Sequence, residues 1–393
     1  MISIKKSAAI LIVFLCHHSE AQSIFGKIKD KETHQPIQYA HISVRDAITG
    51  TISNSDGAFS LTIGKIGDLD SLRISHVGYA TATVCRKDLK ENEENILSLI
   101  PIAVSLNEVV IRGKDPFDYF LDAVALNKSK IEYPFSTSAY FREMVKDNDE
   151  CSKYSDALLT INYLENKEDM IVGVDQARVV KLPKESDDIL LTTSPIEVER
   201  LFKYQYLTLL DRFQGGNKRD YNYLVNGFAG QSNTYRLNIS PNRSALKNEI
   251  LFSGELIVED DYIKNITIRM DSTSRWKKSL LGATIEIAYM EVALSFKRVG
   301  GSNYLSFAKN YVNTIYTHKR SIQNNEYQSE FIVLAVNLHQ QMPIEKRQRL
   351  KTKTLYKHGD NHISNFWEGI NIPIYSKRET DIIEKLKAKQ LLE

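Results

Sequence analysis

The sequence has almost no net charge to offer a polyanion. Its 393 residues carry 51 Lys and Arg against 49 Asp and Glu, a formal +2, and no run of like charge stands out. Phosphate binding draws on a basic patch or stripe, so nucleic acid is set aside as a partner. Long apolar runs are missing too. A spanning helix needs about 20 apolar residues; the stretch Ala8 to Leu15 falls well short, and no later segment is long and apolar enough. Cysteine is scarce, with Cys16, Cys85 and Cys151 the only three. Cys85 and Cys151 could pair in an oxidising compartment, but spacing does not give connectivity. Two unpaired thiols in separate domains are the expectation.

Catalytic motifs are equally sparse. Gly64-Lys65 lacks the upstream Gly of a phosphate loop, since Phe59 stands there. There is no Gly-x-Ser-x-Gly elbow, and zinc-peptidase spacing is absent beyond the N-terminal segment. His17 and Glu20 form a His-x-x-Glu pair, but inside that segment. His358, Asp360 and His362 lie close in sequence. Gly359 argues against the helix that would present both imidazoles on one face, so a polar loop is expected there. Asp187-Asp188 and Asp260-Asp261 sit in turn-like settings, where Asp serves local hydrogen bonding. The expectation is therefore a non-enzyme with no catalytic residue, no metal ligand and no cofactor.

What is present is a foldable chain with 42% hydrophobic and 25% charged residues, long enough for two or three domains. Lys5 and Lys6, the apolar Ala8 to Leu15 and the small-x-small Ser19-Glu20-Ala21 have the layout of a secretory signal. Cleavage after Ala21 is expected, with residues 1–21 as the signal peptide. A lipoprotein reading through Cys16 is disfavoured, because Val13-Phe14-Leu15 before it are bulky.

From Ile24 to Ile111 the pattern is one of short strands and turns. Ile24 to Lys29 forms a first strand. Tyr39, His41, Ser43 and Arg45 alternate with Ala40, Ile42 and Val44, the period of a half-buried strand. Asn54-Ser55-Asp56-Gly57 is a turn whose Gly supplies positive φ, with Phe59 and Leu61 on one face of the strand that follows. Leu72 with Ile74, and Ile96 to Ile100, make further strands. Regular short strands with turn signals point to a sandwich.

These residues resemble the carboxypeptidase-regulatory-like domain of Gram-negative envelope proteins. The resemblance runs through Phe25 to Asp30, Gln35-Pro36-Ile37, Tyr39 to Val44, Asp56 to Leu61, Ile74 to Tyr79 and Leu106 to Ile111. It implies an Ig-like or prealbumin-like β-sandwich over residues 22–112 and no peptidase activity. Such domains occur beside TonB-dependent outer-membrane transporters, but the residues after 112 do not read as a plug and barrel.

Residues 113–393 read as an α+β domain with a curved, mostly antiparallel sheet. Asp115-Pro116 starts a helix with Phe117, Phe120, Leu121 and Val124 on one face, ending at Tyr133-Pro134. Tyr140 to Glu143 opens a strand-rich region. Glu255 to Met270 forms a hairpin about Asp260-Asp261, and a phase change near Met290-Glu291 suggests a bulge. Gly300-Gly301 is a turn, Phe331 to Val336 a strand, and helices are expected from Ser194-Pro195 and at the C-terminus with Ile382, Ile383 and Leu386. The whole is mainly β. A helix followed by a curved sheet looks like the half-barrel of lipoprotein-carrier proteins, and Tyr140 to Glu143, Gly254 to Val258 and Asn365 to Glu368 resemble the segment that follows the sandwich in many envelope proteins.

With 20 Tyr, a sugar-stacking cluster around Tyr204, Tyr206, Tyr221 and Tyr223 competes with half-buried strand tyrosines; most are expected to be structural. The functional expectation is an exported binding or scaffolding protein of the periplasm or outer membrane. Envelope proteins, the TonB-dependent uptake system, glycan or lipid are its partner classes, and carriage of a lipid or other apolar ligand is the alternative.

Overall fold

A computed structural model describes the chain apart from residues 1–21, 45–49, 64–69, 77, 103–113, 149, 166–168, 183–209, 214–219, 229–230, 243–250, 272–273, 281, 352–353, 362–366, 368–369 and 393. The signal segment, the strand expected from Leu106 to Ile111, the helix expected at Ser194-Pro195, and Asp187, Asp188, Tyr204 and Tyr206 lie outside the described residues.

The first part folds as two small sheets. One has the order β4-β1-β7, from β1 (Gln22–Asp30), β4 (Ala58–Ile63) and β7 (Asn95–Leu99). The other has the order β3-β2-β5-β6, from β2 (His41–Val44), β3 (Gly50–Ile52), β5 (Ser71–Ser75) and β6 (Ala82–Cys85). Strand alternation decides what lies between them. Ile24, Ile28, Phe59 and Leu61 of the first sheet meet Ile42, Val44, Leu72 and Ile74 of the second in one buried cluster. Gly57 closes the expected turn at φ 72. Gly26 is there for another reason: a Cβ would lie 1.9 Å from the Asn95 carbonyl oxygen, where β1 and β7 run parallel. Both Cys85 and Cys151 are free thiols.

The rest is dominated by an antiparallel sheet of eleven strands in the order β10-β9-β8-β18-β17-β16-β14-β13-β12-β11, with β15 beside β16. Its strands are β8 (Phe135–Asp147), β9 (Glu150–Tyr163), β10 (Met170–Lys181), β11 (Tyr221–Phe228), β12 (Gln231–Pro241), β13 (Phe252–Glu259), β14 (Tyr262–Met270), β15 (Trp276–Leu280), β16 (Ala283–Val299), β17 (Ser302–His318) and β18 (Ser321–Leu338). The β13–β14 hairpin turns at Asp260 and Asp261, both at positive φ. The phase change in β16 is a register shift between Ile287 and Tyr289, slightly before the position the side-chain pattern suggests.

Helix α1 (Pro116–Ser129) begins where Asp115 accepts a hydrogen bond from the Phe117 N–H, with Pro116 in the first turn. The sheet curves round this helix. Phe117 stacks against Tyr223 of β11 at 5.0 Å. Near the other end, Asn127 accepts from the Ile263 N–H of β14 and from Asn303 of β17.

After β18 the chain pairs with the outer edge of β10, through Val174 N–H to Gln348 and Asn361 N–H to Ala177. It then passes to the other face of the sheet as the segment Ile370 to Ser376 and helix α2 (Lys377–Leu392). Ile383 and Leu386 of α2 pack on Tyr154 and Val180 as one apolar face. No helix among the described residues is long and apolar enough to cross a membrane.

Candidate functional site

One face of the large sheet carries a row of charges set by ladder register alone. Lys309 of β17 lies opposite Glu330 of β18, Glu330 opposite Arg142 of β8, Arg142 opposite Asp156 of β9, and Asp156 opposite Arg178 of β10. The sign alternates along all five strands. Directly opposed Cβ atoms in an antiparallel pair stand about 4.5–5.5 Å apart, so Glu330, Arg142 and Asp156 each have a complement on both sides, and Lys309 and Arg178 end the row. Arg142 Nε donates to Glu330 at 2.7 Å. Arg178 Nε and Nη2 donate to Asp156 at 3.0 and 2.6 Å, and the Tyr140 hydroxyl donates to the same carboxylate at 3.0 Å.

The N-terminal sandwich and the C-terminal segment roof this row. Tyr39, held at φ 61 between β1 and β2, donates its hydroxyl to Glu330 at 2.7 Å. Its ring lies 5.1 Å from Phe307 and under the Lys309 ammonium at 4.8 Å. Ile52 of the sandwich packs with Tyr140, Leu158, Phe307 and Ile332 of the sheet. From the tail, Glu379 reaches Arg142 Nη1 at 2.8 Å. Ser376 and Glu379 hold one another as a capping box at the start of α2. Tyr375 donates to Asp156 and accepts from Arg178, whose guanidinium also sits 5.3 Å from the Trp367 ring.

Burial makes these charges costly unless they are matched. Glu330 is 1% exposed and Asp156 is 0%. Burial alone would push the Glu330 carboxyl up; the Arg142 guanidinium and the Tyr39 hydroxyl overcome it and hold the group below the usual carboxylate range. For Asp156 burial prevails over Arg178 and Tyr140, and its carboxyl is raised. Desolvation and the neighbouring Glu330 push the Tyr39 phenol far up, so it stays a donor. Beside Arg142, Tyr154, Glu330 and Glu379 the structure leaves a cavity of about 20 Å³, room for one water rather than an organic substrate.

Among the described residues the opposite face is mainly apolar where it packs on α1. Phe120, Phe135, Phe141, Phe213, Leu237, Leu256 and Phe331 are fully buried in a single cluster with α1. Glu143 is an exception on that face. It accepts from Ser155 Oγ at 2.8 Å, Tyr327 at 3.0 Å and the Tyr356 N–H at 2.8 Å, while burial raises its carboxyl.

The residues singled out from sequence separate here. Tyr221 is buried against Phe213 at 4.9 Å, and Tyr223 donates to the Phe213 carbonyl; both are core, not a stacking surface. The Asp360 carboxylate accepts from the Val179 N–H at 3.4 Å, and His358 follows a short 3-10 turn at Leu355–Lys357. His362 lies outside the described residues. Among the described residues no three His, Cys, Asp or Glu come together to hold a metal. The charge row escaped the sequence reading, which took Arg142 only as part of a strand. The available signal was a charged residue on the same side of a strand as large apolar ones: Arg142 with Tyr140, Asp156 with Leu158, Glu330 with Ile332.

Comparison with solved structures gives matches of low TM-score. A LolA superfamily protein from Nitrosomonas europaea is 11% identical, covering 59% of this chain and 96% of its own, with a TM-score of 0.22. A DUF1329 family protein from Desulfovibrio piger is 10% identical over 58% of this chain and 96% of its own, TM-score 0.22. A membrane-associated protein of unknown function from Bacteroides fragilis is 10% identical over 80% of this chain and 98% of its own, TM-score 0.15. Similarity at this level carries no functional argument. No curated protein sequence matches the chain significantly. The family comparison is specific where the sequence motifs are: residues 24–111 match the CarboxypepD_reg-like domain.

Proposed function

We propose that this is a non-catalytic, exported protein of the cell envelope that acts by binding or scaffolding, its sandwich and large sheet working as one body. One observation carries the reading. Among the described residues, one face of the curved sheet packs on α1 and an aromatic cluster, and the other is covered by the sandwich and the tail across the charge row. A carrier instead needs a vacant apolar groove for its cargo. Among the described residues, that leaves the outer surface and its strand edges for function. That suits a protein that holds other proteins, with partners in the envelope and the TonB-dependent uptake system as the class to which the sandwich's family association points.

Native mass spectrometry of gently purified protein tests this. The mass of the polypeptide alone is expected; a stoichiometric lipid adduct would replace the scaffold by the carrier. Fractionation tests the location, with the intact precursor in the cytoplasm as the contrary result.

A further inference from the structure

Strand β4 is the outer strand of its sheet, and its free edge is guarded in an unusual way. Toward β1 the register pairs Ile24 with Leu61 and Gly26 with Phe59. Alternate residues Ala58, Ser60 and Thr62 therefore turn their N–H and C=O groups outward. Two asparagines meet two of these residues. Asn54 accepts from the Ala58 N–H at 2.9 Å through its carboxamide oxygen, and its backbone N–H donates to the Ala58 carbonyl at 2.9 Å. Asn371, from the tail, accepts from the Thr62 N–H at 2.5 Å and donates to the Thr62 carbonyl at 2.9 Å.

The Asn371 carboxamide, taking both groups of Thr62, reproduces the rung a neighbouring strand would make. Ser60, between the two plugs, is matched by neither asparagine. The tail that brings Asn371 is tied down nearby, by Asn54 Nδ2 to the Ile374 carbonyl at 3.2 Å and by the Lys377 N–H to Asp56 at 2.8 Å. Natural edge strands are blunted in such ways because a bare edge templates another strand.

We propose that the free edge of β4 is a docking surface for an extended segment of a partner protein, which adds as a further strand once the tail carrying Asn371 withdraws. This rests on the binding and scaffolding reading and names the kind of partner it takes. The edge presents peptide groups, met at Thr62 by the Asn371 carboxamide and at Ala58 by the Asn54 side-chain oxygen and backbone N–H, so the matching chemistry is a polypeptide backbone. Asn371 is an internal competitor. It fills one rung, whereas an incoming strand fills Thr62 and Ser60 together. Withdrawing the tail also gives up its two tethers, which keeps the edge shut in the absence of a partner.

The test uses the full chain and a fluorescent peptide with the sequence of residues 22–30, the strand that already pairs with β4 on its other side. Asn371→Ala, checked by circular dichroism to be folded, is expected to bind the peptide about tenfold more tightly than the unaltered chain, the worth of a hydrogen-bonded rung. Adding Ser60→Pro abolishes the gain, because the lost N–H faces away from β1 and leaves that ladder intact. A peptide N-methylated at alternate residues likewise fails to bind. Equal affinity for both chains, no binding to folded Asn371→Ala at millimolar peptide, or full binding of the methylated peptide overturns the proposal. A lipid adduct in the native mass spectrum would instead overturn the scaffold reading, so the two failures are distinguishable.

Discussion

Strand β8 turns Phe135, Ala139 and Phe141 toward α1 on one side and Tyr140 and Arg142 toward the sandwich on the other. The two faces of the same strand are held by different physics. Toward the helix the contacts of Phe135, Ala139 and Phe141 are apolar and non-directional, and shape decides them. Toward the sandwich a guanidinium must find Glu330 and Glu379 at once, in one register and with one roof. Hydrophobic faces tolerate a slipped partner better than buried ions do, because any apolar neighbour can fill the space, whereas a buried charge needs its complement. The charge row gives the interface its registry, and the apolar face supplies the bulk of the burial.

That contrast can be broken experimentally. Arg142→Ala strands Glu330 and is expected to lower stability by about 3–5 kcal/mol in urea unfolding. The diagnostic is rescue. Arg142→Met combined with Glu330→Leu recovers more than half of the loss, since replacing a buried ion pair by apolar groups is often neutral; a double variant no better than the single would refute the account of that face. Phe120→Ala on the helical face costs about 3–5 kcal/mol as a cavity, and no second charge change restores it.

Acid sharpens the difference. The buried ring of His41, beside Phe307 at the interface, is desolvated and faces His76, Lys297 and Lys264, and its pKa is pushed down to about 4 from 6.5. In the unfolded chain it binds its proton at the ordinary value. Stability therefore falls as pH drops from about 6.5 toward about 4. Glu330, held below its usual range, adds a further loss as it is protonated in stronger acid. His41→Leu should flatten the slope above pH 4; an unchanged slope in thermal melts would assign the acid sensitivity elsewhere. The smallest effect expected is at the entrance to α1, where Asp115→Ala removes a cap worth about 1 kcal/mol.

Local patterns were readable where the relevant partners are near in sequence. The alternation of Ala40, Ile42 and Val44, the Asn54 to Gly57 turn, the Asp115-Pro116 helix start and the Asp260-Asp261 hairpin all appear as the residues suggest. The charge row was not readable, because Arg142 and Glu330 are 188 positions apart and meet only after β18 returns beside β8. The apolar run Phe331 to Val336 marked the strand, but nothing local said which face Glu330 would take or what stood opposite. The Asn371 plug is hidden for the same reason: a single Asn between Ile370 and Ile372 carries no sign of the edge 309 residues away that it caps.

The central claim is that the sandwich is joined to the sheet through this row as one body. A double-mutant cycle of Tyr39→Phe and Glu330→Gln, followed by urea unfolding, measures that joint directly. The account predicts a coupling of about 1 kcal/mol or more and a single cooperative transition. Additive losses within about 0.3 kcal/mol, with two separate transitions, would contradict it.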